Sequence, residues 1–379
     1  MTTFLKTVEI PIEAARTLPG RYYTSPDIFA EETEAIFARR WWCVARESDI
    51  ASAGDYLLRE VAGESVIILR DESGTPRAFY NVCRHRGTRL CEATRGCLES
   101  GMIQCPYHAW TYALDGRLLG APSAGELDGF RKEDYPLHRV ALARWEGFLL
   151  VNLARDPEPF DEAWAPLIGR FARFNLGALA PARTMAYDVR ANWKLLFENY
   201  SECYHCAPVH PSLARVTPPT SGENDLVEGP VTGGFMTINA GYESLTMSGR
   251  ACGMPVGDLP PDDLRRVYYY AVFPNLFLSL HPDYVMAHTL WPVAPDHTRI
   301  MCTWLFHPRT LEDPSFDPND GVAFWDQTNR EDWHICEQSQ LGVASRMYRP
   351  GPYSRREALS AQFDREVLRA LGHDLPEST

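Results

Sequence analysis

The sequence has 379 residues, 45% hydrophobic and 23% charged, with a formal net charge of −13. That length suggests roughly two ordinary domains, and the acidic balance argues against nucleic acid or an anionic membrane as a partner. No apolar run is long enough to span a bilayer, and the start MTTFLKTVEIPIEAARTLPG lacks a basic region followed by an apolar one. The expectation is therefore a cytoplasmic protein whose ten cysteines are reduced thiols or metal ligands, not a disulfide framework.

Residues 1–40 read as an extended arm followed by a helix over SPDIFAEETEAIFARR, with Ser25 or Asp27 near its start. From Trp41 the pattern becomes strand-like: ESVIILR, PRAFYNV and GFLLVNL are short β runs separated by turn residues. This predicts a small all-β domain over 41–155, with ARDPEPF as a linker. Further on, NWKLLFENYSECYHC has helical periodicity. VYYYAVFPNLFLSLHPDYVMAHTLWPV and TRIMCTWLFHP predict consecutive antiparallel strands. GVAFWDQTNREDWHICEQSQLG predicts a helix, with Asp320 before it and Gly342 ending it. Strands between helices without βαβ alternation favour an α+β class, with the second domain drawn from 1–40 and 156–379.

The first chemical constellation lies in NVCRHRGTRLCEATRGCLESGMIQCPYHAW, which holds Cys83-x-His85 and Cys105-x-x-His108. Two Cys–His pairs could ligate a tetrahedral zinc. They could equally hold a Rieske [2Fe–2S] cluster, with two thiolates on one iron and two imidazoles on the other. The C-x-H spacing, the flanking glycine and aromatic residues and the strand-rich setting favour the cluster. Cys91 and Cys97, between the pairs, are expected not to ligate.

The second constellation is NYSECYHCAPVHP. On a helix of about 3.6 residues per turn, Asn199, Glu202 and His205 drift along one side. Leu195 and Cys206 share that side, so it should face inward. Pro208 should end the helix and let His210 fold back toward His205. Two converging imidazoles supply two-thirds of a 2-His-1-carboxylate site, which leaves open positions on Fe(II). Capping or simple polar satisfaction is the competing reading of each histidine. Cys203 and Cys206 form a CxxC but are not at a helix N-terminus after a strand, so they are expected to pack and not to act as a redox pair.

The third ligand must be a carboxylate. Glu202 is near in sequence, but a helical wheel puts Asp332 among Val322, Trp325, Ile335 and Cys336, where an unpaired carboxylate is costly. Asp326, at the edge of that arc, is the fallback, and a buried salt bridge is the alternative reading of Asp332.

Both constellations together make the chain resemble the Rieske non-haem iron oxygenases, oxygenase (alpha) component. C-x-H…C-x-x-H carries one half of the resemblance, and NWKLLFENYSECYHCAPVH, matching the family's NWK…EN…YH…H, carries the other. The resemblance implies an all-β Rieske domain and a helix-grip-like catalytic domain, an antiparallel sheet flanked by helices. It assigns the cluster to Cys83, His85, Cys105 and His108, and a mononuclear Fe(II) to His205, His210 and Asp332. Asn199 falls near the iron, and Glu202 on the acid linking the two centres between neighbouring subunits of a trimer. Dioxygen is then a co-substrate. The chain has no GxGxxG, so a separate flavin/ferredoxin-type reductase must supply electrons.

Glutamate at 202 resembles the branch acting on glycine betaine, stachydrine, carnitine and choline, and the terminal GPYSRREALSAQFDREVL is similar to it too. The implied reaction is hydroxylation of an N-methyl group of a small quaternary ammonium compound, giving N-demethylation and formaldehyde. The strand aromatics Tyr268, Tyr269, Tyr270, Phe273, Tyr284 and Trp291 could face such a cation, although strand aromatics are usually core. The runner-up is ring hydroxylation or O-demethylation of an aromatic acid. A non-enzymatic Rieske carrier is a third reading, but it has no use for His205, His210 and a buried carboxylate.

Overall fold

In a computed structural model, which describes residues 3–12 and 15–374, the β runs of the first half form strands. ESVIILR becomes Glu64–Arg70, whose Val66, Ile67, Ile68 and Leu69 are all fully buried. That explains its near-continuous apolar character: both faces are covered. It sits in a four-stranded antiparallel sheet ordered Pro76–Tyr80, Glu64–Arg70, Asp55–Val61, Arg95–Cys97. Two three-stranded sheets join it. One contains Met102–Gln104, Thr111–Ala113 and Leu118–Gly120; the other contains Ala141–Trp145, Phe148–Asn152 and Trp42–Arg46.

These sheets belong to one compact unit, Ile36–Ala165; the remainder of the described chain forms the second. ARDPEPF was expected to be a linker, with the boundary at 155. Arg155, Asp156, Glu158 and Pro159 are exposed outside regular structure, as in a connecting loop, but the segment's last residue is anchored. Phe160 sits edge-on to Trp41 at 5.3 Å and Trp164 sits on Trp145 at 5.0 Å, so the unit runs on to Ala165.

The second unit is built on an eight-stranded antiparallel sheet. Its order is Leu5–Lys6, Glu223–Leu226, Val231–Thr237, Arg266–Val272, Leu276–Leu280, Val285–Ala294, His297–Phe306, Ala180–Val189. Its core packs against the helix Trp193–Tyr200. Phe197 stacks on Phe363 of the C-terminal helix Ala358–Leu371 at 4.7 Å and meets Phe277 of the sheet at 4.6 Å. The arm's helix is Pro26–Glu32, capped by the Ser25 hydroxyl accepting from the Ile28 amide, and continues as a π turn to Phe37.

Two helix limits differ from the sequence expectation. The long helix spans Asn319–Val343, so Asp320 and Gly342 lie within its first and last turns. Val322, Trp325 and Cys336 are buried on it as expected, but Ile335 is 37% exposed and leaves the inward arc. The other helix stops at Tyr200, not beyond His205. The Glu202 carboxylate captures the Tyr204 and His205 amides, which competes with helical bonding there. Short helices Cys206–Val209 and Pro211–Val216 follow, so Pro208 lies inside a helix and does not end one. Among the described residues no helix is long and apolar enough to cross a membrane.

Candidate metal centres and active-site cavity

Cys83 and Cys105 each open a tight loop of similar construction. The Cys83 amide donates to the Thr88 carbonyl and Gly87 closes back onto Cys83 O; the Cys105 amide donates to Trp110 O and Ala109 closes back onto Cys105 O. Gly87 makes the first turn with φ +74°, a region open to glycine at little cost. Both thiols are 3% exposed, whereas His85 is exposed and His108 half-buried. The two imidazoles lie 4.7 Å apart, with His85 stacked on Trp110. The Tyr112 hydroxyl lies 3.4 Å from the Cys83 sulfur. Burial raises the Cys83 thiol pKa; the Tyr112 hydroxyl opposes this and the adjacent Cys105 thiol adds to it. Two neighbouring thiols inside and two imidazoles outside form a donor set that fits a Rieske cluster. Cys91 is buried beside this core and Cys97 is exposed on the strand Arg95–Cys97.

The second unit brings His205, His210 and Asp332 together, their ligand atoms all within 4.8 Å of one another. Asp332 Oδ1 lies 3.2 Å from His205 Nε2 and 2.8 Å from His210 Nε2. The remote ring nitrogens are both held by carboxylates: His205 Nδ1 by Glu202 at 2.5 Å, and His210 Nδ1 by Glu331 at 2.7 Å. A carboxylate on Nδ1 fixes the tautomer that offers the Nε2 lone pair to a metal. Asn199 Nδ2 stands 3.4 Å from His205 Nε2. The fallback Asp326 is elsewhere, accepting from Tyr187 Oη at 2.9 Å and pairing with Arg330.

The electrostatics favour a cation at this point. Burial works against charging His205, but hydrogen bonds to Asp332 and Glu202 outweigh it and push its pKa up to about 10. Burial raises Asp332, yet the two imidazoles more than offset this and bring it down to about 2. His210 is also raised, its contacts with Asp332 and Glu331 overriding burial. Three carboxylates around two imidazoles thus suit a divalent ion, and the three donors leave one side open, as in a facial triad.

Glu331 is the orienting residue that sequence reasoning missed; the tandem carboxylates of Arg330-Glu331-Asp332-Trp333 were the available signal. Cys203 and Cys206 also depart from expectation. They are joined by a disulfide, because the turn after Tyr200 brings their Cα atoms to 4.9 Å, within bridging range.

A cavity of about 330 Å³ opens on the triad. Phe235, Tyr269 and Trp325 line it, together with Glu202 and Asp332. Of the six strand aromatics singled out from sequence, Tyr269 reaches it. Tyr268 and Tyr270 lie on the opposite face of the strand, as the pleat requires, where their hydroxyls donate to Asp263 and Asp225. Gly233 and Gly234 lie on the neighbouring strand and also line the cavity. A Cβ on Gly234 would meet Glu223 O at 2.0 Å, so glycine is what allows that strand to approach.

Fold and donor sets together define a two-centre iron oxygenase component. Residues 40–131 match the Rieske [2Fe-2S] domain, and residues 176–373 match the ring hydroxylating alpha subunit (catalytic domain). The chain belongs to the ring-hydroxylating oxygenase alpha-subunit family. It is 32% identical over 376 residues to the glycine betaine monooxygenase oxygenase subunit of Chromohalobacter salexigens, covering 89% of this chain and 82% of the other. The carnitine monooxygenase oxygenase subunit of Acinetobacter baumannii is 38% identical over 207 residues, 53% of this chain and 54% of the other. Among solved structures, a quaternary ammonium Rieske monooxygenase described for carnitine oxidation and inter-subunit electron transfer is 27% identical. It aligns over 99% of this chain and 100% of its own with a TM-score of 0.81.

Proposed function

We propose that the chain is the oxygenase subunit of a monooxygenase that hydroxylates an N-methyl group of a small betaine-type quaternary ammonium compound. The observation that carries this reading is the cavity on the triad. Phe235, Tyr269 and Trp325 line it beside the candidate iron ligands, and aromatic rings attract an onium group. The similarity to glycine betaine and carnitine monooxygenase subunits supports the same choice.

In this reading Cys83, His85, Cys105 and His108 would hold the Rieske cluster, and His205, His210 and Asp332 the mononuclear iron; the grouping of their donor atoms supports it. When bound, these centres supply single electrons and activation of dioxygen at an open ferrous site. The protein's own part is positional. Glu202 and Glu331 hold the two imidazoles, Asn199 stands beside His205, and the aromatic walls keep water from the N-methyl group. In balance, substrate, dioxygen, two electrons and two protons give an N-hydroxymethyl ammonium and water. That carbinolamine then loses formaldehyde and a proton, breaking the C–N bond and leaving the tertiary amine.

Electrons come from a separate reductase of flavin/ferredoxin type, consistent with relatives that are named oxygenase subunits. In this reading the assembly is a homotrimer, and Glu202 connects His205 with His108 of the partner subunit. The test is turnover with reductase and NADH on a panel of betaines, assaying formaldehyde. Formaldehyde from a quaternary ammonium compound supports the reading; product from an aromatic acid alone overturns it.

A further inference from the structure

The cavity carries charge at both ends. Besides the histidines, its charged lining among the described residues is Glu202 and Asp332 at the triad, and Lys6 and Arg356 at its exposed mouth. These two cations come from opposite ends of the chain. Lys6 ends the edge strand Leu5–Lys6, which is held by its ladder to Glu223–Leu226 and by Asn224 Nδ2 donating to Thr7 Oγ1 at 2.9 Å. Arg356 sits in the turn Arg355–Glu357, which packs against the turn Thr7–Glu9. Its guanidinium lies 5.9 Å over the ring of Tyr204, in the loop between Glu202 and His205.

Nearby carboxylates are engaged elsewhere. Glu9 accepts the Lys6 amide, Glu357 accepts the Ser354 amide, and Glu202 is taken by His205 and backbone amides. Glu223 stands across the ladder from Lys6 without an ion pair. Among the described residues, then, neither Lys6 nor Arg356 has a carboxylate partner.

We propose that Lys6 and Arg356 read the carboxylate of the substrate and make this chain select zwitterionic betaines over quaternary ammonium alcohols. The inference rests on the N-demethylation reading and deepens it. An onium group drawn to the aromatic inner end, where Phe235, Tyr269 and Trp325 line the cavity, places its N-methyl at the triad. A carboxylate a few bonds away then points outward, where it can accept charge-assisted hydrogen bonds from an ammonium and a guanidinium. An alcohol at the same position gains none of that attraction. Because both cations are exposed, their effect is moderate and falls with salt.

The test compares glycine betaine, carnitine and choline in steady-state formaldehyde assays, using wild type, Lys6→Gln, Arg356→Gln and the double variant. The proposal expects wild type to favour the two carboxylates. The double variant should raise their KM about tenfold with kcat little changed, leave choline's KM where it was, and flatten the salt dependence of the betaine KM. Equal losses on choline and the carboxylates would show a merely structural role and overturn it, as would unchanged KM values throughout. Wild type that demethylates choline as readily as betaines overturns it while sparing the broader reading. Wild type that demethylates no quaternary ammonium compound removes the broader reading and the inference with it.

Discussion

Glu202 and His205 form one closed unit. Oε1 of the glutamate lies 2.5 Å from Nδ1 of the imidazole, while Oε2 accepts the backbone amides of Tyr204 and His205. The residue that orients the ring therefore also shapes the turn that presents it. Glu202→Gln keeps the turn but weakens the grip on Nδ1. It is expected to retain iron and sulfide at wild-type levels and to lose turnover by at least the roughly 10–100-fold typical of a residue that orients a metal ligand. Metal analysis beside the formaldehyde assay checks this. Wild-type turnover would remove the bridging role.

Glu331 does for His210 what Glu202 does for His205. Glu331→Gln should lower affinity for the mononuclear iron by about 10–100-fold, read as the iron concentration needed to restore activity. Asp332→Ala should go further and leave about two irons and two sulfides per chain, the Rieske complement alone. If Asp332→Ala retained a third iron, the carboxylate ligand would lie elsewhere.

Behind the site, Lys194 and Glu32 make a fully buried ion pair, and Glu32 also accepts from the Trp193 indole at 2.8 Å. Removing one partner strands the other charge in the core. Glu32→Ala is expected to cost about 3–5 kcal/mol in denaturant unfolding. Adding Lys194→Met should recover much of that loss, since no charge is then left unpaired.

The helices Trp193–Tyr200 and Ala358–Leu371 also share a carboxyl pair, Glu198 with Asp364, closed by Tyr23 and Tyr353 hydroxyls at 2.8 and 2.7 Å. Burial is the main cause that raises both, Asp364 to about 7. The folded state thus holds a proton that the unfolded chain releases near the ordinary carboxylate range. The stabilisation is fully present below about pH 4 and is lost as pH rises through about 7. Asp364→Asn should flatten that slope. Unfolding of wild type and variant across pH 4–8 measures the difference, and parallel curves would contradict a proton retained on Asp364.

Much of this site was legible because its chemistry is local. Cys83-x-His85, Cys105-x-x-His108 and the pair His205 and His210 each announce a ligand set within a few residues, and the structure draws each set together. Asp332 could be chosen over Asp326 because helical periodicity separates the inward face from the edge. The failures are tertiary or competitive. The helix limit at Tyr200 depends on a side chain outbidding the backbone, which periodicity does not register. Ile335 has the polarity of a core residue but turns outward. Tyr269 and its neighbours read alike, and only the pleat decides which one meets the cavity. Lys6 and Arg356 are 350 residues apart by number and come to line one cavity only once the edge strand and the turn Arg355–Glu357 are in place.

The central claim is tested most directly by a single turnover. Purified protein, loaded with iron and reduced anaerobically, is mixed with dioxygen and glycine betaine while the paramagnetic signal of the reduced Rieske cluster and the formaldehyde yield are followed together. The account predicts loss of the signal with formation of formaldehyde, and neither in Glu202→Gln on the same timescale. A reduced preparation without any Rieske signal, or a signal that decays while no quaternary ammonium substrate yields formaldehyde, would contradict it.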